Sequence, residues 1–306
     1  MNRKVKDDVK IINSIPQLHK ILGLPEPEHP LISVNGLIRR DNFEDLNGKS
    51  VVYNFYSICI KKDFKGKVKY GQTNYDHDSG VLSFFAPGQV TATEITENDG
   101  AMGDWLIFHS DLIRSYPLFN KIKEYGFFSY SLSEALHLSA REEQTIEKIW
   151  KDIKQEYQSN IDKFSQDVIV SHIDLLLNYC NRFYSRQFIT RKKINNDVLS
   201  KFEVYLRDYF ENEQGLKKGL PAVQYFSEKL FVSTQYLSDL LKSLTGMTTQ
   251  QHIHNHVVEL AKNKLLQSNL SVSEIAYELG FEYPQSFNKL FKNKTGTTPN
   301  EFRKLN

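Results

Sequence analysis

The last hundred residues of this 306-residue chain contain two copies of one helix-turn-helix pattern. The first copy occupies residues 223–249 and the second copy residues 272–299. Both end in Thr-Gly-x-Thr, and Thr245 of the first aligns with Thr295 of the second, fifty residues later. Before the turn the offset is forty-nine, so the second copy has one extra residue in its turn. The repeat predicts an all-α C-terminal domain with two helix-turn-helix units joined by a linker helix.

The second copy carries the signals that begin and end short helices. Ser271 and Glu274 are spaced as a capping box at the start of its first helix. Gly280 follows that helix where a left-handed residue ends a helix. Pro284 stands in the first turn of the next helix, where its missing N–H costs little. The predicted buried stripe of that second helix consists of Phe287, Leu290 and Phe291.

The first copy follows the same plan with one departure, because Phe231 stands where the second copy has its helix-ending glycine. Ser233 is predicted to cap the second helix of this copy. The predicted inward side chains are Leu237, Leu240 and Leu241. A linker helix of about 18 residues holds the two units roughly 27 Å apart. With the turns added, we expect the two outer helices to lie about 34 Å apart, which suits adjacent major grooves of DNA.

Residues 197–306 resemble the DNA-binding domain of AraC/XylS-type transcription regulators. The resemblance rests on the paired units, on IAYELGFEYPQSFNKLFKNKTGTTPNEFR at residues 275–303, and on both Thr-Gly endings. It implies a sequence-specific regulator whose partner is double-stranded DNA. Regulators of this family often contact RNA polymerase as well, so RNA polymerase is a further expected partner.

The family contacts bases through exposed positions in the first two turns of each unit's second helix. Carried over by position, these are Thr234, Gln235, Ser238 and Asp239 in the first unit, and Gln285, Ser286, Asn288 and Lys289 in the second. Gln pairs with adenine and Lys donates to guanine. Lys242 and Lys292, one turn further on, are placed for phosphates. Asp239 departs from the family, which more often has Arg or another donor there. The alternative interpretation is that both faces are merely solvated.

From residue 31 to about residue 130 the sequence has β character, with β-branched and aromatic runs between turn signals. It predicts an antiparallel barrel or sandwich, so that the whole chain is of the α+β class. The segment is similar to the cupin-like sensor domain of many such regulators, and we assign it residues 1–136. Four aromatic side chains are candidates for binding a small-molecule effector or for filling a core: Tyr53, Phe55, Phe84 and Trp105.

Residues 137–190 predict a helical hairpin, and residues 191–306 the DNA-binding domain, which begins at a basic linker-like run. The second hairpin helix carries apolar side chains on more than one face. One stripe contains Val168, His172, Leu175, Tyr179 and Phe183; Ile169, Ile173, Leu176 and Cys180 lie beside it. An apolar surface this wide favours a homodimer over packing within one chain. The resemblance to AraC/XylS-type regulators also favours a homodimer.

Composition narrows the alternatives. Lys and Arg number 39 against 37 Asp and Glu, so the overall charge of +2 does not indicate a nucleic-acid partner. Two cysteines exclude a disulfide scaffold and a site built of several thiolates. No apolar stretch approaches the ~18 residues that span a bilayer, so we expect a cytoplasmic protein without membrane contact.

The sequence shows no phosphate loop, no nucleophile–base pair and no paired carboxylates, so we expect no enzyme activity and no cofactor. His252, His254 and His256 cannot converge on one metal, because helical spacing turns the middle residue away. The residues 76–80, DHDSG, lack the later acidic ligand of a calcium loop. The alternative to a regulator is a small-molecule-binding or enzymatic cupin with an accessory helical domain.

Overall fold

The computed structural model describes residues 9–35, 45–46, 49–61, 68–70, 73–75, 80–92, 103–190, 192–212 and 218–305. The chain divides into two compact units, Met1–Gln187 and Phe188–Asn306. The first unit contains the β-sheets and the second is helical in its described residues. The α+β class is therefore confirmed. The division into 1–136, 137–190 and 191–306 stays a prediction, and most of the DHDSG turn lies outside the described residues.

Ten strands are described in the N-terminal unit. They are β1 Lys10–Ile12, β2 Ile32–Asn35, β3 Ser50–Tyr53, β4 Tyr56–Lys61, β5 Val68–Tyr70, β6 Thr73–Tyr75, β7 Val81–Phe85, β8 Val90–Ala92, β9 Gly103–Phe108 and β10 Leu136–His137. Five of them form one sheet in the order β10-β7-β4-β9-β2, with every pair antiparallel. Three form a second sheet in the order β1-β3-β8, and β5 pairs with β6.

The described strands form separate sheets rather than a closed barrel. A barrel needs a ladder that returns to its first strand, whereas β10 and β2 each pair on one side only in the five-stranded sheet. Strand β1 also pairs with β3 in parallel, which the antiparallel expectation did not include. We predicted either a barrel or a sandwich. The described strands do not form a closed barrel.

Three of the four candidate effector-binding aromatics lie together in the core of the N-terminal unit. Tyr53, Phe55 and Trp105 pack with the buried side chains of Ile12 and Ile15. The ring centroids of Tyr53 and Phe55 are 5.5 Å apart, and those of Tyr53 and Trp105 are 6.5 Å apart. In this structure these rings fill space in the core, and their binding of an effector stays a prediction.

Phe84, the fourth candidate, lies in a different cluster. Its ring is 4.6 Å from that of Phe127, and both line a small cavity together with Tyr130 and Tyr184. The volume open to the centre of a water molecule is about 10 Å³, which is room for about one water. An effector of ordinary size would therefore require these side chains to move apart.

Five α-helices are described in the N-terminal unit, where they lie between and after the strands. They are α1 Ile15–Ile21, α2 Ser110–Ile113, α3 Leu118–Lys121, α4 Ala140–Tyr157 and α5 Ser165–Thr190. Helices α4 and α5 are the predicted hairpin. Ser139 and Glu142 form a capping box at the start of α4, and Arg186 of α5 forms an ion pair of 2.5 Å with Glu142.

Helix α5 buries one of its two predicted apolar stripes and leaves part of the other exposed. Ile169, Ile173, Leu176 and Cys180 are each no more than 5% exposed. In the other stripe Val168 and Leu175 are 38% and 43% exposed, His172 and Tyr179 are half-buried, and Phe183 is buried. Burial raises the pKa of the Cys180 thiol far above its ordinary value, so this cysteine is an unreactive core residue.

The described residues of the C-terminal unit form a series of helices. They are α6 Lys192–Glu211, α7 Val223–Leu230, α8 Thr234–Thr245, α9 Thr249–Gln267, α10 Val272–Glu278, α11 Pro284–Thr295 and α12 Pro299–Leu305. Lys192 and Lys193, from the basic run that we expected in a linker, begin α6 instead, and Arg191 lies outside the described residues. This helix forms because Phe202, Leu206 and Tyr209 lie on one face and are nearly fully buried.

No helix in the described residues is both long and apolar enough to cross a membrane.

Candidate nucleic-acid interface

The second helix-turn-helix unit, formed by α10 and α11, has the predicted local structure. The Ser271 hydroxyl accepts a hydrogen bond from the Glu274 N–H, and the Ser271 N–H donates to the Glu274 carboxylate at 2.7 Å. These bonds hold the pKa of Glu274 below its usual range. Gly280 has a φ of +90°, as expected for the residue that ends α10. Local sequence signals therefore determine the entry and exit of this helix.

Helix α11 presents a fully buried face and a fully exposed face. Phe287 and Phe291 are 0% exposed, and their ring centroids are 5.7 Å apart. The five residues predicted to meet DNA are all exposed: Gln285, Ser286, Asn288, Lys289 and Lys292. Burial of the two phenylalanine rings thus fixes the helix so that its polar face, with two of its lysines, is turned toward solvent.

The first unit, formed by α7 and α8, exposes fewer of its predicted contact residues. Thr234, Gln235 and Lys242 are exposed, whereas Ser238 and Asp239 are half-buried. The Ser238 hydroxyl donates to the Thr249 hydroxyl at 3.2 Å, at the start of α9. Ser238 is therefore held by the linker helix in this structure, and its contact with bases stays a prediction.

Gln235 and Asp239 lie one turn apart on α8 and contact each other. The Gln235 side-chain N–H₂ group donates to both carboxylate oxygens of Asp239, at 3.2 Å each. This hydrogen bond between neighbouring contact positions could not be read from the sequence, although i,i+4 Gln and Asp side chains are known to pair on helices.

The turn of the first unit contains a left-handed residue that is not glycine. Phe231 ends α7 with φ 57° and ψ 40°, and its side chain is 90% exposed. The left-handed conformation costs an ordinary residue about 1–2 kcal/mol. The first unit therefore keeps the same turn as the second unit, although it has Phe231 in place of glycine, and it does so with a strained backbone.

We expect Phe231→Gly to stabilise the chain by about 0.5–1 kcal/mol. The relief of strain, about 1–2 kcal/mol, exceeds the entropy that glycine adds to the unfolded chain, about 0.4–1 kcal/mol, and the exposed ring loses no burial. Thermal unfolding followed by circular dichroism should show a melting temperature a few degrees higher. The matched variant Gly280→Ala, at φ +90°, should lower it; a lower melting temperature for Phe231→Gly would contradict the interpretation.

Helix α9 joins the two units through one shared core. Its buried side chains Ile253, Val257, Ala261 and Leu265 lie in a cluster with Phe287 and with other buried residues of both units. The predicted linker helix and its inward stripe are therefore present. A single core of this kind makes the two recognition helices, α8 and α11, parts of one rigid framework.

The internal repeat extends beyond residues 223–249 and 272–299 and includes a third helix in each copy. Thr248 and Gln251 form a capping box at the start of α9. Thr298 and Glu301, fifty residues later, make the same contacts at the start of α12, where the Thr298 N–H donates to Glu301 at 2.7 Å. Each repeat thus has three helices, and this third capping signal was present in the aligned sequences.

The three histidines of α9 have separate partners. A His252 ring nitrogen, Nε2, lies 2.8 Å from the Thr245 hydroxyl, His254 contacts Gln250, and the His256 ring packs on another aromatic ring. Burial lowers the pKa of all three. No group of three or more metal-binding side chains occurs in the part of the chain that the structure describes.

Charge is unequal between the two units. Lys289, Lys292 and Lys294 are exposed on α11. Arg303 of α12 is used internally, because its guanidinium donates to the carbonyls of Leu265 and Leu270 at 3.0 and 2.6 Å. Helix α11 therefore carries three exposed cations, whereas α8 has an acidic residue at its centre.

Residues 226–305 match a family model described as a helix-turn-helix domain. The transcriptional regulatory protein YesN of Bacillus subtilis is 39% identical over 79 residues, which are 25% of this chain and 22% of YesN. The HTH-type transcriptional activator RhaR of Escherichia coli is 34% identical over 85 residues, which are 28% of this chain and 30% of RhaR. The match thus spans less than a third of either relative.

One further relative extends over both units. The HTH-type transcriptional regulator YfiF of Bacillus subtilis is 22% identical over 261 residues, which are 83% of this chain and 78% of YfiF. The family match covers the segment that carries the duplicated geometry. Residues 226–305 of this chain are a helix-turn-helix DNA-binding domain of the AraC type.

Proposed function

We propose that the chain is a cytoplasmic, sequence-specific transcription regulator that reads two adjacent major grooves of DNA with each subunit. The observation that carries this proposal is the pair of recognition helices, α8 and α11, held by one core and each bearing exposed polar side chains. Two helix-turn-helix units about one DNA turn apart match the repeat of the duplex. The names of the relatives, which are transcription regulators, support the same function.

The chemistry of the exposed side chains assigns each a task. Gln285 can pair with a purine through its amide, and Lys289 can donate to guanine. Lys242 and Lys292 occupy equivalent positions in the two units, and both are exposed for contact with phosphates. Because α11 has more free cations than α8, we propose that the second unit provides most of the nonspecific affinity.

We propose that the regulator is a homodimer joined through α5. Val168 and Leu175 lie seven residues apart on α5 and are exposed, with His172 and Tyr179 half-buried in the same stripe; Phe164, just before α5, is also exposed. An apolar stripe of this spacing packs against another helix. A two-fold axis would bring the same stripe of a second copy onto it.

We also propose that the N-terminal unit senses a small-molecule effector and that the regulator acts on RNA polymerase. A separate compact unit with two aromatic clusters supports the first part. The name of RhaR, a transcriptional activator, supports the second. Metabolites that bind the N-terminal unit should change the fluorescence of Trp105 and Trp150, the two tryptophans of the chain, both in that unit.

Selection of DNA fragments from a random library by the full-length chain tests the proposed function. A regulator of this type should enrich sites with two recognised segments about one helical turn apart. Binding to a selected site should exceed binding to competitor DNA by about a thousandfold or more at moderate salt. If no sequence is preferred, the chain does not read DNA as proposed.

Two sets of substitutions in α11 should have different effects on binding. Gln285→Ala combined with Lys289→Ala should remove sequence preference in one half of the site, because both side chains face base edges. Lys292→Ala should weaken binding evenly across sequences and reduce the slope of log K against log salt by about one unit. Titrations of full-length variants at several salt concentrations measure both effects, and an unchanged preference in the double variant would contradict this assignment.

A further inference from the structure

Each recognition helix carries a glutamine at the same position. One turn later the first helix has an acidic residue and the second helix a basic one. Gln235 and Gln285 are equivalent in the two repeats, and so are Asp239 and Lys289. In α8 the Gln235 amide nitrogen donates to both carboxylate oxygens of Asp239. The repeat therefore places the same reading side chain beside an acceptor in one unit and beside a donor in the other.

A glutamine amide offers two different faces to a base. Its oxygen accepts and its nitrogen donates, so turning the amide over exchanges an acceptor for a donor at each place. A carboxylate accepts only and cannot face the amide oxygen without repulsion. Asp239 therefore admits one orientation of the Gln235 amide, with the nitrogen toward the carboxylate and the oxygen away from it.

The held orientation leaves Gln235 with one acceptor and one N–H for a base. Adenine presents a donor at N6 and an acceptor at N7, which matches this pair of groups. Guanine presents acceptors at both O6 and N7, so its O6 would oppose the amide oxygen of Gln235. The held amide thus distinguishes the two purines, which a freely turning amide does less well.

We propose that Asp239 is a positioning residue that orients Gln235 and makes the first unit select adenine over guanine at one base pair. This inference rests on the proposed DNA-binding function. Asp239 acts through Gln235 and does not itself need to contact a base. The acidic residue that departs from the family pattern is thereby a determinant of specificity, obtained at some loss of attraction to phosphates.

We expect the opposite arrangement in the second unit, where Lys289 stands at the position of Asp239. The lysine ammonium group donates only, so it favours an amide whose oxygen is turned toward it. Gln285 would then present its N–H₂ group outward, toward the acceptors of guanine. One duplicated glutamine is therefore expected to read different purines in the two halves of the site.

The test measures the affinity of the full-length chain for a selected site and for variants with each base at every position of the first half. Gln235→Ala first locates the position that Gln235 reads, since its base preference is lost there. At that position the wild-type chain should prefer adenine to guanine by about tenfold or more. Asp239→Asn should reduce this ratio to about twofold, because an asparagine amide can also donate and lets Gln235 turn over.

Glu282→Gln is the matched control for charge. Glu282 is exposed in the turn before α11, away from Gln235 in sequence and in repeat position. Both Asp239→Asn and Glu282→Gln remove one negative charge and should raise overall affinity, but only Asp239→Asn should change the adenine-to-guanine ratio. Circular dichroism should confirm that both variants keep the wild-type melting temperature.

Three outcomes would overturn the inference. An Asp239→Asn variant with the wild-type adenine-to-guanine ratio would show that Asp239 does not orient Gln235. An unchanged base preference in Gln235→Ala would show that Gln235 is not the reading residue. If the wild-type chain prefers no sequence at all, the proposed function fails and this inference fails with it; in the first two outcomes the proposed function stands.

Discussion

Replacement of Phe287 by alanine should destabilise the C-terminal unit by about 3–5 kcal/mol. The ring is 0% exposed, and its centroid lies 5.3 Å from that of Phe281 and 5.7 Å from that of Phe291. Because the surrounding aromatic rings cannot close fully over the space, the variant loses burial and gains a cavity. A loss of this size is a large part of the 5–15 kcal/mol that a domain ordinarily has.

Urea unfolding followed by circular dichroism measures this loss. The matched control is Asn288→Ala, since Asn288 is the next residue on α11 and is exposed; its cost should stay within about 0.5 kcal/mol. Trp105 and Trp150 lie in the N-terminal unit, so loss of helical signal before any change in tryptophan emission would locate the unfolding in the C-terminal unit. A cost below about 1 kcal/mol for Phe287→Ala would contradict the core that we describe.

Leu175→Asp should convert a dimer into monomers and reduce affinity for a DNA site that binds both subunits by about a hundredfold. By symmetry each dimer would receive two carboxylates, opposite an apolar stripe that offers them no partner. The loss of affinity follows because two linked DNA-binding domains gain about 10²–10⁴ over one. Since Leu175 is already 43% exposed in the single chain, the substitution should leave the fold of each subunit intact.

Sedimentation of the full-length chain at micromolar concentration, together with DNA titration, measures this effect. Asn181→Asp is the matched control, because Asn181 is exposed on α5 outside the stripe. The control should remain dimeric and keep its affinity for DNA. A wild-type chain that sediments as a monomer, or a Leu175→Asp variant that remains a dimer, would exclude α5 as the dimer interface.

The features that were predicted correctly depend on residues close together in sequence. The capping box at Ser271 and the left-handed Gly280 are formed within one or two helical turns, so a short window contains everything that determines them. The buried stripe of α11 follows from helical periodicity alone. For the same reason the repeat identified the helix-turn-helix domain, although the overall charge did not indicate a nucleic-acid partner.

The features that were missed depend on pairing between distant segments. The parallel pairing of β1 with β3 and the division of the described strands into separate sheets require partners far along the chain. The start of α6 was missed because its basic first turn resembles a linker, while the burial of Phe202 against the rest of the unit makes it helical. The sequence could not assign the four candidate effector-binding aromatics to a core or to a pocket, because both kinds of site are lined by the same types of residue.

By itself, the sequence determined that the C-terminal part has two helix-turn-helix units, where their helices begin and end, and which side chains face outward. Only the tertiary structure decided which outward side chains are already engaged with another helix, because the Ser238 hydroxyl is held by Thr249 at the start of α9. Helical periodicity assigns a residue to a face, but a hydrogen bond depends on the distance and angle between two groups. Those distances follow from the packing of the whole unit.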